Sequence, residues 1–270
     1  MENITLVNGD DQFVFNVIGE NPEGFEFPST RISIEDVAGD RSAVYINSKA
    51  GRRRLSWQAV IETADISQTR RDLVLVARPG NLKTLKFETC DGLELQTEVE
   101  IENVIMPYKI GRTKCLIEAV APDWRFYSQE LHEFETVQTV ITGGLAIPAA
   151  IPYDMSGGEV VSSTTVLNDG NEVSDPIFTI QGPGTSFTIG NQTTGGELVI
   201  DYELTSDDSI VIDVKNRTII LNGDTSIYSA LASGDFWSLA PGANIMRFIV
   251  TGADVDTLLT VNWRDAIIGI

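Results

Sequence analysis

Asp208-Ser209-Ile210-Val211-Ile212-Asp213-Val214-Lys215-Asn216-Arg217-Thr218-Ile219-Ile220-Leu221-Asn222 is the stretch whose reading decides the fold. Ile210, Ile212 and Val214 recur at every second residue, and Thr218, Ile220 and Asn222 do so on the return pass. A period of two places alternate side chains on one face of a strand, as in a half-buried sheet. Lys215-Asn216-Arg217 between the passes is a polar turn in which asparagine tolerates a positive φ. Further on, Phe236-Trp237-Ser238-Leu239-Ala240-Pro241-Gly242-Ala243-Asn244 is a Pro-Gly turn that feeds another strand through Ile245, Phe248 and Val250. Nothing in this region is an active-site signature. It is half of a β-sandwich.

The same grammar extends upstream. Residues 160–166, 176–182, 185–191 and 195–202 are short strands separated by Gly/Asn turns, which predicts an all-β second domain. The first part of the chain carries strands at 13–18, 31–35 and 55–61, with a polar, basic loop over 47–54 that ends in Arg52-Arg53-Arg54. The period then changes. Ile66, Thr69, Leu73, Val76 and Ala77 fall at helical spacing behind a Thr63-Ala64-Asp65 cap, and Arg78-Pro79-Gly80 stops the helix. Strands resume at 82–89, 93–104 and 114–121, with Asp91-Gly92 and Ile110-Gly111-Arg112 as turns. Residues 128–158 look like a connector, carrying Gly143-Gly144, Pro148, Pro152 and Gly157-Gly158. The expected organisation is an N-terminal domain over 1–140, a linker over 141–158 and a C-terminal domain over 159–270.

Charge sharpens this division. The 270-residue chain has a net charge of −20. Residues 1–140 hold 15 basic and 23 acidic side chains, and residues 141–270 hold 4 and 16. A mixed-sign first domain suits packing against copies of itself or a neighbour. The overall negative field argues against nucleic-acid binding and anionic membrane surfaces. The apolar runs are far short of a membrane span, and Met1-Glu2-Asn3-Ile4 does not begin a signal peptide, so a cytosolic product is expected. Cys90 and Cys115 fit no zinc spacing and are expected as reduced thiols in strand contexts. His132 has no partner histidine and is expected as a polar residue at a domain edge.

Several marks then line up in order: Asn168-Asp169-Gly170-Asn171, Phe178-x-Ile180-x-Gly182, Asn191-x-Thr193-Thr194-Gly195, Asp208-x-Ile210-x-Ile212-Asp213, Trp237-Ser238-Leu239-x-Pro241-Gly242-x-Asn244 and Val261-x-Trp263-Arg264-x-Ala266. This series resembles the distal tail proteins (the Dit family) of phages with long, non-contractile tails. The resemblance extends to the front half through the basic loop, the strand over 55–61, the helix and Ala121-Pro122-x-Trp124. It implies a mostly β fold: an N-terminal tail-tube-like β-sandwich with one α-helix and a C-terminal galectin-like β-sandwich. It also implies a structural role in the virion, as a hexameric ring made in the host cytoplasm. Such a ring joins the tail tube protein to the tail-associated tip protein and, in many phages, carries receptor-binding proteins. No cofactor or metal is implied.

Three functional readings follow. In a ring-forming hub, Lys49, Arg52, Arg53 and Arg54 are the candidates for the subunit interface. Consecutive arginines on an extended chain alternate faces, so one at least points outward and one inward, and exposed arginines pair with a neighbour's carboxylates. In a carbohydrate-binding module, Trp237 and Trp263 with Phe236 and Tyr202 would form a stacking platform, although such aromatics are expected to fill the core. In a hydrolase, Asp207-Asp208 or Asp254 with Asp256 would supply paired carboxylates, although acidic pairs in turns are expected as solvated faces. Gly182-x-Gly184 and Gly195-Gly196 open no helix and are turns rather than phosphate loops.

Overall fold

The computed structural model describes residues 3–17, 22–36, 43–107, 111–136, 159–253 and 256–270. It divides into two compact units, Met1–Glu130 with Ile267–Ile270, and Leu131–Ala266. The expected linker over 141–158 lies outside the described residues.

The first unit contains β1 (Asn3–Asn8), β2 (Asp11–Val17), β3 (Thr30–Asp36), β4 (Ala43–Ala50), β5 (Arg53–Thr63), α1 (Ile66–Ala77), β6 (Lys83–Glu88), β7 (Glu94–Ile105), β8 (Gly111–Ala121) and β9 (Phe126–Ser128). Its main sheet runs β9-β7-β6-β1-β2-β5-β8. The sheet closes because β7, besides β9 and β6, also pairs with β8 at the far end of the order. Residues 94–99 of β7 pair with β6 and residues 100–105 with β8, the latter pairing shifting register between Ile101 and Asn103. Alternation decides what goes inside: Leu55, Trp57 and Ala59 on β5 meet Ile117, Cys115 and Ala119 on β8. Ile4 and Leu6 of β1 are fully buried, although the opening residues carry too short an alternation to announce a strand.

Helix α1 forms where its spacing predicts it. The Asp65 carboxylate accepts the Ser67 and Gln68 amides at 3.0 and 2.9 Å, satisfying two donors that a helix start leaves open. Ile66, Leu73 and Val76 line its buried face. Each such side chain stabilises by about 1.5–3 kcal/mol when fully buried.

The second unit holds β10 (His132–Glu135), β11 (Glu159–Asn168), β12 (Ile177–Gln181), β13 (Gly184–Asn191), β14 (Gly196–Leu204), β15 (Ser209–Asp213), β16 (Thr218–Leu221), β17 (Thr225–Ser226), β18 (Leu231–Gly234), β19 (Gly242–Thr251) and β20 (Leu258–Trp263). These make a six-stranded sheet, β10-β20-β12-β15-β16-β17, and a five-stranded sheet, β11-β19-β13-β14-β18. A core of Phe178, Ile180, Ile210 and Ile212 from one sheet and Phe187, Ile189, Leu198, Ile200, Phe248 and Val250 from the other is fully or almost fully buried. The mostly β architecture, with a single α-helix among the described residues, agrees with the sequence expectation.

Three local readings are corrected. Residues 47–54 are not a loop: Asn47–Ala50 finish β4, Arg53 and Arg54 begin β5, and only Gly51 and Arg52 lie between. Polarity misled there, because strands exposed on both faces need no apolar alternation. On the return pass Ile219, opposite Ile212, is the buried residue, whereas Ile220 is half-exposed. The turn between β15 and β16, with Arg217 at φ 53, shifts the inward phase by one. Cys90 sits in the exposed β6–β7 turn rather than a strand, while Cys115 is buried in β8 and burial pushes its thiol up to about 11.

Candidate interaction surfaces

The three consecutive arginines separate as alternation requires. Arg53 points inward and is 1 % exposed. Its Nη1 donates to Gly24 O at 2.7 Å, and its Nε and Nη2 donate to Trp124 O at 3.0 and 2.7 Å. Nη2 also donates to Ile268 O, and the guanidinium lies over the Phe126 ring, 4.2 Å from its centroid. One side chain thus ties the loop before β3, the turn after β8 and the last residues of the chain. Gly24 stands at φ 85 against the Arg54 carbonyl, where a Cβ would meet the oxygen at 1.9 Å. Burial pulls Arg53 down to about 10, and nearby Asp123 pulls it back up, so it stays cationic at neutral pH.

Beside Arg53, Arg125 and Tyr127 both bond Asp123, with Arg125 Nε at 3.2 Å and the tyrosine hydroxyl at 2.7 Å. Burial raises the Asp123 carboxyl, but these hydrogen bonds and the Arg125 charge outweigh it, leaving it at about 2. Lys83, also buried, meets Glu100 at 2.6 Å.

Arg52 and Arg54 face solvent, as do Arg31 and Lys49. The four line two adjoining clefts at the root of the β3–β4 hairpin, and among the described residues none pairs with a carboxylate. The hairpin forms its own two-stranded sheet. It exposes Ile32 and Ile34 at 60 % each, and the consecutive Val44, Tyr45 and Ile46 carry apolar surface onto both of its faces.

In the second unit the residues of the ordered marks turn inward to lock loops. Asn168, Asn191 and Asn244 are at most 1 % exposed. Asn244 Oδ1 accepts the Ala240 amide and Asn191 Nδ2, both at 2.9 Å, and its Nδ2 donates to Ala240 O and Gly242 O. Asn191 Oδ1 accepts the Thr193 and Thr194 amides. Asn168 Nδ2 donates to Glu172 O and Leu239 O, and its Oδ1 accepts from Gly170 and Ala266. These marks specify turn geometry, a role that sequence order alone did not reveal.

The aromatic platform is not assembled. Trp237 and Trp263 are 7 % and 8 % exposed, and their indole N–H groups donate to Ile189 O and Leu167 O. Phe236 and Tyr202 pack, half-buried, on the same core. Of the acidic pairs, Asp208 is held at about 2 by hydrogen bonds from Thr205 and Asn222, fixing a turn. Such a group is ionised at neutral pH and is no proton donor. Asp254 lies outside the described residues. Among the described residues no three His, Cys, Asp or Glu side chains are grouped to hold a metal. His132, in β10, stacks on Trp263 and bonds Asp265 at 2.9 Å.

Residues 169–266 match the family model described as the siphovirus-type tail component, C-terminal domain. No curated protein matches the chain. Among solved structures, the chain is similar to the SPP1 Dit protein, described as a paradigm of hub adsorption apparatus in phages that infect Gram-positive bacteria. The TM-score is 0.66 at 14 % identity, covering 97 % of this chain and 98 % of that one. A chain of the phage P2 baseplate in its activated conformation with Ca aligns at a TM-score of 0.47 and 13 % identity, over 94 % of this chain and 98 % of that one.

Proposed function

We propose that this chain, whose residues 169–266 belong to the siphovirus-type tail component family and whose full length shares the fold of the SPP1 Dit protein, is a structural component of a phage tail tip. In this reading six copies form a ring in the virion that joins the tail tube to the tip and adsorption proteins, and the chain transforms no substrate.

The observation that carries the assembly is the β3–β4 hairpin. A two-stranded ribbon is marginal alone in water. This one bares isoleucine, valine and tyrosine on an otherwise acidic chain, and contiguous apolar exposure marks an interaction site. Arg31, Lys49, Arg52 and Arg54 at its root, which pair with no carboxylate among the described residues, suit the carboxylates of a second copy, which the net charge of −20 supplies in excess. Arg53 is committed inside its own unit and is left out of this surface.

Native mass spectrometry of the full chain tests the proposal. A six-fold species is expected. Ile32→Ser with Ile34→Ser, or Arg52→Glu with Arg54→Glu, should disperse it into monomers that keep the wild-type circular-dichroism spectrum, since all four side chains are exposed. A wild-type monomer at high concentration would refute the ring.

A further inference from the structure

Residues 267–270 follow the second unit in sequence yet belong to the first. They lie on residues 24–26 and on Arg53. The Ile268 carbonyl accepts Arg53 Nη2, and the Ile270 amide donates to Phe25 O at 3.2 Å. Ile267 packs on the first unit's core. Gly269 passes the Glu26 carbonyl so closely that a Cβ would collide with its oxygen. Space, rather than backbone conformation, requires glycine at that position.

Residues 24–26 are the entry leg of the β3–β4 hairpin. Just before them, Glu23 exchanges backbone hydrogen bonds with Ser56 at 2.8 and 3.1 Å. Phe25 is buried against Phe87 and Phe126, and β3 follows from Thr30. The exit leg is Gly51-Arg52-Arg53. The legs are tied to each other: Gly51 N donates to Ser29 O at 2.9 Å, and Ser29 Oγ donates to Arg52 O at 3.2 Å. Arg53 pins the whole junction. It stands in the exit leg, its Nη1 reaches the entry leg at Gly24 O, and its Nη2 reaches residues 267–270 at Ile268 O. A two-stranded ribbon has little stability of its own, so the root decides whether it is ordered. Lifting residues 267–270 takes the donor from Phe25 O and one acceptor from the buried guanidinium, and leaves the entry leg held on one side only.

We propose that residues 267–270 are a strap that sets the β3–β4 hairpin, so that a chain can offer the hairpin to another copy only after the strap has docked. The second unit, Leu131–Ala266, lies between hairpin and strap in sequence. The ribosome therefore makes all of its residues before it makes the strap, and the hairpin of a growing chain stays unset while other nascent chains are near. The entropy of closing a loop grows only with the logarithm of its length, so the long interval does little to oppose docking. The setting of the hairpin stands on contacts within the first unit. The control of assembly rests on the hub reading above.

Hydrogen exchange and native mass spectrometry of the full chain test this with Gly269→Ala, whose methyl has no room beside Glu26 O. Exchange at the β3 and β4 amides, and at Glu23 and Gly51, should rise at least tenfold, while β7, β8 and the second unit keep wild-type protection. The six-fold species should be lost. Ile270→Pro, which removes the amide bonded to Phe25 O, is the milder variant and should raise the same exchange by a smaller factor. Unchanged hairpin exchange in both variants overturns the strap. So does exchange raised evenly over the first unit, which would make residues 267–270 an ordinary part of its core. Raised hairpin exchange in a variant that still forms the six-fold species overturns the control of assembly. If the wild type is itself a monomer, the hub reading falls, and hairpin exchange in the two variants still decides the strap.

Discussion

The two units secure their loops by different chemistries. The first uses charge: Arg53 gathers three carbonyl oxygens, Asp123 binds Arg125 and Tyr127, and Lys83 is paired with Glu100. The second uses neutral amides: Asn168, Asn191 and Asn244 fill their hydrogen bonds with loop backbone and with each other. A buried charge binds strongly but costs desolvation and responds to pH. A buried asparagine offers two donors and an acceptor that never titrate. The first unit's charged ties are therefore switchable in principle, whereas the second unit's asparagine locks are fixed geometry.

The sharpest break in this contrast is Arg53→Met. It leaves the carbonyls of Gly24, Trp124 and Ile268 without their donor, and roughly 3–5 kcal/mol of first-unit stability should vanish. Calorimetry should show one transition falling and the other unmoved. If both fall together, the units unfold as one and the contrast collapses.

Asn244→Asp attacks the other side. A carboxylate there faces the Ala240 and Gly242 oxygens with no donor to offer, so about 3 kcal/mol should be lost from the second unit. The introduced acid should have a raised pKa in the folded state. Stability should then be regained as pH falls, so a variant that melts higher at pH 4 than at pH 7 is expected from thermal scans.

Acid alone should separate the wild-type units more gently. Asp123 is depressed from 3.8 to about 2 in the folded chain. Its contribution is present above its unfolded value and is lost as pH falls from about 4 through about 2, an effect on the order of 2 kcal/mol. The asparagine locks contribute nothing to that change, but the exposed turn at Asp208 in the second unit titrates over the same range, so the Asp123 share is read as the part of the acid loss that Asp123→Asn removes in a calorimetric pH series. The smallest effect concerns the helix: Asp65→Ala should cost about 1 kcal/mol through its two lost amide bonds, seen as a modest shift in urea midpoint.

What was legible in the sequence follows from what has a period. Ile210 and Ile212, Leu55 and Trp57, and the Ile66–Leu73–Val76 stripe declared their strands and helix because burial repeats at 2 or 3.6 residues. The β3–β4 hairpin hid part of its length because a ribbon wet on both faces leaves no such trace. Alternation foretold that one of the three arginines would turn inward but not that it would be Arg53, which counted among the interface candidates, and its cage was hidden because Gly24 and Ile268 are brought to it only by the fold. The asparagines were visible as recurring marks, yet their mutual hydrogen bond joins residues 53 positions apart.

The thiols offer a practical handle. Cys115 is sealed in β8 and its sulfur resists deprotonation, whereas Cys90 stands in the open turn after β6. Maleimide reagents should therefore mark each copy once, at a native position, with no engineering. A nitroxide attached there would report the spacing between neighbouring copies by dipolar spectroscopy, and a six-membered circle has a distance signature that no dimer or trimer shares.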